Sequence, residues 1–307
     1  MIKINKILFP TDFSSCSKQA LTHAIFFAKK YQAELYILHV ITLFKGYPYN
    51  QPNDFPGIEE VQNKLSEIAD VKMKEVINIH GSGALKIVKA EHQQGISETP
   101  VILDYADAND IDLIVMGTHG RRGLGHLFLG SVAEEVVRLS KCPVFTVRET
   151  KEPKQIKAFQ KILVPIDFSD HSKEALSYAK EIANTYGAQL QLFHVIEETI
   201  HPAFSLSGKS SIFELVPGIA EDCRQRMEQM LKETEGPVVN SEIIVKGGHA
   251  ANDIIKFTKD NLTDLIVIAT HGLTGIEHFL LGSVTEKVVR MAQCPVFALK
   301  SFGKSLL

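Results

Sequence analysis

Lys6-Ile7-Leu8-Phe9-Pro10-Thr11-Asp12-Phe13-Ser14 returns 155 positions later as Lys161-Ile162-Leu163-Val164-Pro165-Ile166-Asp167-Phe168-Ser169. In each stretch a short apolar run stops at Pro-x-Asp, which reads as a buried strand closed by turn chemistry. Outward from it, His39-Val40-Ile41 returns at the same offset as His194-Val195-Ile196. Thr118 to Val147 then aligns without a gap on Thr270 to Leu299, offset by 152, with 17 of 30 positions identical. The three-residue drift falls between the blocks, where loops absorb it. Copies of about 150 residues are too long for solenoid units, so each is expected to hold its own core. The boundary is placed at residues 1–150 and 151–307. The charged, Pro153-containing stretch 149–158 reads as the linker.

Within copy one, strands and helices alternate. Strands are expected at Lys6–Thr11, Glu34–Ile41, Leu85–Ala90, Asp112–Gly117 and Pro143–Val147. Helices are expected at Ser17–Lys30 (capped by Ser14 or Ser15), Ile58–Ile79, Ile96–Ala108 and Ser131–Leu139. Copy two repeats the strands near 161–166, 190–196, 241–246, 264–269 and 295–299. This alternation implies an α/β fold of two tandem doubly wound domains, each a parallel sheet flanked by helices, because right-handed crossovers return over the sheet.

Composition excludes several classes. At 307 residues with 45 % hydrophobic and 22 % charged residues, the chain is a folded two-domain protein rather than a disordered one. No stretch approaches the ~18 to 20 apolar residues of a membrane helix, and Ile7–Phe9 is too short for a signal-peptide core. A formal charge of −3 gives no support to nucleic-acid binding. Cys16, Cys142, Cys223 and Cys294 include no CxxC, so reduced thiols and a cytoplasmic setting are expected.

The densest chemistry follows the fourth strand: Gly117-Thr118-His119-Gly120, nine residues, then Gly130-Ser131. Gly130-Ser131 opens an apolar-periodic helix, which Ser131 is expected to cap. A helix N-terminus offers free amides and a positive dipole end to anions. Surrounding glycines let backbone donors form a concave cradle for phosphates, and Arg121 and Arg122 add charge. Asp12 ends the first strand, and Asp167 repeats it. In a doubly wound sheet the first and fourth strands flank the switch point where ligands bind, so Asp12 is expected to face the glycine loop. Such a carboxylate accepts hydrogen bonds from ribose hydroxyls or holds a Mg²⁺-bound water; as an Asx turn it would only cap the next helix.

With these motifs in place, the chain resembles a tandem universal stress protein over nearly all of residues 1–300. The G-x2-G-x9-G-S spacing beside a P-x-D strand end is similar to that family's ATP-binding motif. The resemblance implies a five-stranded sheet of order 3-2-1-4-5 and a regulatory or stress-response protein that binds ATP or another adenine nucleotide, with or without Mg²⁺. It implies that Pro10, Thr11, Asp12 and Val40 surround adenine and ribose. Met116, Gly117, Gly120, Gly130, Ser131 and Val132 would hold ribose and phosphates. In copy two the matching set is Pro165, Ile166, Asp167, Val195, Gly272, Gly282, Ser283 and Val284. The family's last strand often pairs domains, which implies that Pro143–Val147 and Pro295–Leu299 join the copies as a pseudo-dimer; a homodimer stays open. Copy two departs from the pattern: Ala269 replaces Gly117, Leu273-Thr274 replaces Arg121-Arg122, and Glu277 replaces Gly125, each change weakening phosphate binding.

Other signals carry less. Gly208-Lys209-Ser210 and Gly303-Lys304-Ser305 resemble the end of a P-loop, but the earlier glycine is replaced by Ala203 and Ala298. His39 and His194 read as buried or hydrogen-bonded strand histidines. His119, His126, His271 and His278 lack a partner ligand at familiar metal spacing. Cys142 and Cys294 read as small buried fillers. No nucleophile elbow, metalloprotease motif or dedicated phosphoryl-transfer base is present, so catalysis is not expected; slow ATP hydrolysis and a nucleotide-free scaffold remain the alternatives.

Overall fold

Among the described residues β-strands alternate with helices, and the apolar runs singled out above form most of the strands. The computed structural model describes residues 1–42, 58–80, 87–119, 130–151, 158–197, 211–272, 281–300 and 303–307. The chain divides into two compact units: Lys3–Gln155 with Leu306, and Ile156–Ser305 with Met1–Ile2 and Leu307.

The first unit contains β1 (Lys6–Pro10), α1 (Ser15–Tyr31), β2 (Glu34–Thr42), α2 (Ile58–His80) and β3 (Ile87–Gly95), followed by α3 (Glu98–Ala108), β4 (Leu113–Gly117), α4 (Ser131–Leu139) and β5 (Val144–Val147). Its strands lie side by side as β3-β2-β1-β4-β5, every pair parallel. Ile7, Leu8, Leu35, Leu38, Leu113, Ile114 and Val115 are fully buried at the sheet's centre. Continuous apolar strands of this kind are what a sheet covered on both faces requires. α1 packs on β1 and β4, α2 on β2 and β3, α3 on β2 and β3 and against α4, and α4 on β5. Phe27 of α1 meets Phe145 of β5 edge-on with centroids 4.8 Å apart.

The second unit repeats the series as β6 (Lys161–Pro165), α5 (Asp170–Tyr186), β7 (Gln189–Glu197), α6 (Ile212–Leu215), α7 (Ile219–Glu233), β8 (Ser241–Gly248), α8 (Ala250–Asp260), β9 (Leu265–Ala269), α9 (Ser283–Met291) and β10 (Val296–Leu299). Its strand order is β8-β7-β6-β9-β10, again all parallel.

The first helix of each unit starts as its sequence dictates. Ser14 Oγ accepts from Ser17 N at 3.2 Å and Ser169 Oγ from Ser172 N at 3.1 Å, so both serines are N-caps. α5 stops at Gly187, whose φ of +67° suits glycine, whereas α1 stops on Gln32 at φ +55°.

Four expectations shift. β3 occupies Ile87–Gly95 rather than Leu85–Ala90, because Glu91–Gly95 continues pairing with Leu38–Thr42 although its side chains are polar. α3 begins at Glu98, not Ile96, after Ser97 in extended backbone. β1 stops at Pro10, one residue before Thr11. Ser131 does not cap α4: Gly130 is the N-cap residue and Ser131 the first helical one. Residues 152–157 of the expected linker lie outside the described residues.

Candidate functional site

In the first unit β1 lies between β2 and β4, and the chain order reverses between β1 and β4, so the crevice at their carboxyl ends is the switch point. Pro10 ends β1, and Thr11 N–H continues the ladder to Leu38 O at 2.8 Å. Thr11 is buried, its hydroxyl 2.7 Å from Ser17 Oγ and accepting Phe13 N–H at 3.0 Å. Asp12 Oδ1 accepts Ser14 N–H at 3.0 Å. That bond is an Asx turn, so one carboxylate oxygen of Asp12 has the structural duty that competes with ligand binding. Phe13 then sits at φ +63°, left-handed backbone that costs a bulky residue about 1–2 kcal/mol.

On the opposite wall, Met116 and Gly117 close β4, pairing with Thr146 and Val147. A Cβ on Gly117 would lie 2.8 Å from Cys16 Sγ and 3.2 Å from the Cys16 carbonyl carbon. Gly117 is therefore a packing glycine that lets the start of α1 press on β4, rather than one kept bare for a ligand. Burial pushes the Cys16 thiol pKa up, and its Sγ lies 3.4 Å from Val147 O.

The two halves of the glycine motif meet directly. Gly130 N–H donates to Thr118 O at 2.7 Å. A Cβ on Gly130 would come within 3.0 Å of that same oxygen. Gly130 has φ −65°, so close approach, not a left-handed turn, is what requires glycine. One amide of the expected cradle is thus committed to the protein's own carbonyl. Ser131 and Val132 follow in the first turn of α4, where N–H groups have no intrahelical acceptor. Val40 lies on β2, opposite Gln93. Gly120 and Arg121, with Arg122 and His126, lie outside the described residues.

The second unit rebuilds the arrangement. Ile166 N–H reaches Phe193 O at 2.8 Å after Pro165, and Phe168 has φ +65°. Asp167 Oδ1 accepts Ser169 N–H at 3.0 Å and the Ser169 hydroxyl at 2.5 Å. A Cβ on Gly272 would lie 2.5 Å from Asp167 Oδ2, so the strand-end carboxylate does face the glycine segment here, across bare backbone. Gly282 N–H donates to Thr270 O at 2.9 Å, Thr285 Oγ1 to Ala269 O at 2.8 Å, and Ser283 and Val284 open α9. Ala269 and Val195 are buried. Since the matching direction at Gly117 points to α1, a methyl at this position answers to helix packing.

The left-handed Phe13 and Phe168 escaped the sequence reading, whereas His39 and His194, expected as buried or hydrogen-bonded strand histidines, do make hydrogen bonds and touch those two rings. His39 Nδ1 lies 2.7 Å from Thr11 O, and His194 Nδ1 2.7 Å from Ile166 O. Their rings lie against Phe13 and Phe168 with centroids 4.5 and 4.6 Å apart. The signal was present, because Phe and His recur at fixed offsets. Cys142 is buried and Cys294 is pushed up to about 12 by burial, consistent with inert fillers. Among the described residues no group of three His, Cys, Asp or Glu could hold a metal, and no helix is long and apolar enough to cross a membrane.

The family model described as the universal stress protein family matches residues 3–148 and again 158–300. The chain belongs to the universal stress protein family. A universal stress protein of Methanocaldococcus jannaschii is 34 % identical over 145 residues, covering 46 % of this chain and 82 % of that protein. One from Synechocystis is 24 % identical over 313 residues, covering 97 % of this chain and all of that one. The crystal structure of a universal stress protein from Archaeoglobus fulgidus superposes with a TM-score of 0.70 at 24 % identity, over 96 % of this chain and 98 % of that chain, which shows the shared fold. Two universal stress protein domains in one chain thus account for the duplication.

Proposed function

We propose that this universal stress protein is a regulatory, non-catalytic binder of ATP, held between the strand-end aspartate and the glycine–helix segment of each unit, with the first unit's site the stronger. The observation that supports the reading is that the Asp167 carboxylate lies directly on Gly272, in the glycine segment of the motif whose later glycine, Gly282, is the N-cap residue of α9. Helix-terminal amides suit phosphate, and a carboxylate at the switch point suits ribose hydroxyls. Mg²⁺ bound with the triphosphate would add charge neutralisation. A cytoplasmic setting agrees with the free cysteines.

A second reading, a nucleotide-free scaffold, draws on a specific observation: Gly130 and Gly282 amides are spent on Thr118 and Thr270 carbonyls. Mass spectrometry of the freshly purified, denatured protein separates the two. ATP or ADP is expected to accompany the chain, and Gly130→Val, whose side chain would collide with Thr118 O, is expected to remove the first site's share. Neither nucleotide retained, together with no heat on titrating Mg-ATP, would leave the scaffold.

A further inference from the structure

We infer that His39 and His194 are positioning residues that set the strand-end carboxylates Asp12 and Asp167 toward the ribose, by gripping the residue on either side of each aspartate. The inference rests on the nucleotide reading above. His39 reaches Thr11 O through Nδ1 at 2.7 Å and lays its ring against Phe13, so both neighbours of Asp12 are held by one side chain from β2. His194 does the same to Ile166 and Phe168 from β7. A carbonyl oxygen only accepts, so Nδ1 carries the proton in both rings. The grip acts where it is needed: Phe13 and Phe168 occupy left-handed backbone, a conformation that persists only when the surroundings over-determine it.

A cation completes each stack. Lys72 Nζ of α2 lies 5.8 Å above the Phe13 ring, and the Arg226 guanidinium of α7 lies 4.4 Å above Phe168. The closer arginine accompanies a loss. In the first unit the Thr11 hydroxyl takes the Phe13 N–H, but Ile166 in the second unit has no hydroxyl to offer. The second unit therefore leans harder on histidine and arginine. The same physics separates the histidine's two contributions: a hydrogen bond that fixes a carbonyl and a ring that fixes a phenyl group.

The test is calorimetric titration of the full chain with ATP and with 2′-deoxy-ATP, the first site disabled by Gly130→Val. Asp167→Asn calibrates the readout and is expected to shrink the preference for the ribonucleotide. His194→Phe keeps a ring but loses the donor. It is expected to weaken ATP roughly three- to tenfold, as loss of one hydrogen bond does, with the ATP-to-deoxy-ATP ratio falling alongside. His194→Asn, which keeps a donor near the Nδ1 position, is expected to recover part of the ratio. Phe168→Gly accepts the left-handed backbone without strain yet removes the ring, and is expected to lower the ratio too, which covers a His194→Phe chain that does not fold. His39→Phe, with Gly282→Val as background, is expected to have the smaller effect. An unchanged ratio in the histidine and phenylalanine variants, with Asp167→Asn effective, overturns the positioning role. No binding by wild type, or no response to Asp167→Asn, overturns the ribose reading itself and the inference with it.

Discussion

His23 shows how much one side chain can couple the fold to pH. It is buried in α1 with its ring 5.2 Å from Phe145, its Nδ1 has no hydrogen-bond partner among the described residues, and burial pushes its pKa down to about 3. The folded chain keeps this imidazole neutral, while the unfolded chain protonates it near the ordinary value of 6.5. The unfolded state therefore binds more protons between those limits, so this contribution is complete above about pH 6.5 and is lost as pH falls toward 3. Moving from pH 6.5 to 5 should cost about 2 kcal/mol, read as a fall in the urea midpoint. His23→Leu is expected to flatten that fall; an equal fall in the variant would place the acid sensitivity elsewhere. Tyr178 stands at the matching position of the second unit, so the effect belongs to the first. The sequence displayed His23 among the apolar positions of α1 but could not reveal its burial against Phe145, because only packing determines that.

Strands and helices were more legible than single side chains, and the reasons are physical. α4 occupies Ser131–Leu139 as its apolar spacing demanded, since one face must cover β5. β3 was misplaced because Glu91, His92, Gln93 and Gln94 carry no apolar alternation, yet their backbone pairs with β2 all the same. A clamp at the amino end of each β1-type strand was invisible to pattern reading. Asp112 Oδ2 accepts Asn5 and Lys6 N–H at 2.6 and 2.9 Å, and Asp264 Oδ2 accepts Gln160 and Lys161 N–H at 2.8 and 3.0 Å. Lys6 and Lys161 bond onward to the Asn109 and Asn261 carbonyls. Asp112→Ala should cost about 2–3 kcal/mol in denaturant unfolding by stranding two donors, and Asp112→Asn, which retains an acceptor, should cost less. Helix–strand contact makes a further prediction. Gly117→Ala drives a methyl against Cys16 and should cost about 1–3 kcal/mol, and Cys16→Ala in the same chain should recover part of it. Additive losses would mean that the two residues do not share one space.

For the whole molecule, duplication was the most legible property, because fixed offsets of strand-end and glycine motifs survive wherever both halves keep the same backbone geometry. What diverged is informative for the same reason. The two units agree in the Asp–Ser turn, the left-handed Phe, the histidine grip and the Gly–Thr closure, all of which are backbone-setting features. They differ in charge: Arg121 and Arg122 of the first copy correspond to Leu273 and Thr274 of the second, and Gly125 to Glu277. Shape alike and charge unlike should give two nucleotide sites of unequal strength and unequal response to salt. Calorimetry is expected to find two ATP bound per wild-type chain, one in Gly130→Val, and none when Gly282→Val is added. Screening shortens electrostatic reach to about 10 Å near 0.1 M salt and about 3 Å near 1 M. Affinity measured in Gly282→Val, where only the arginine-bearing copy binds, should therefore fall more steeply with added salt than affinity in Gly130→Val. Equal slopes would mean that the arginines take no part in holding phosphate, and that backbone amides alone distinguish neither copy from the other.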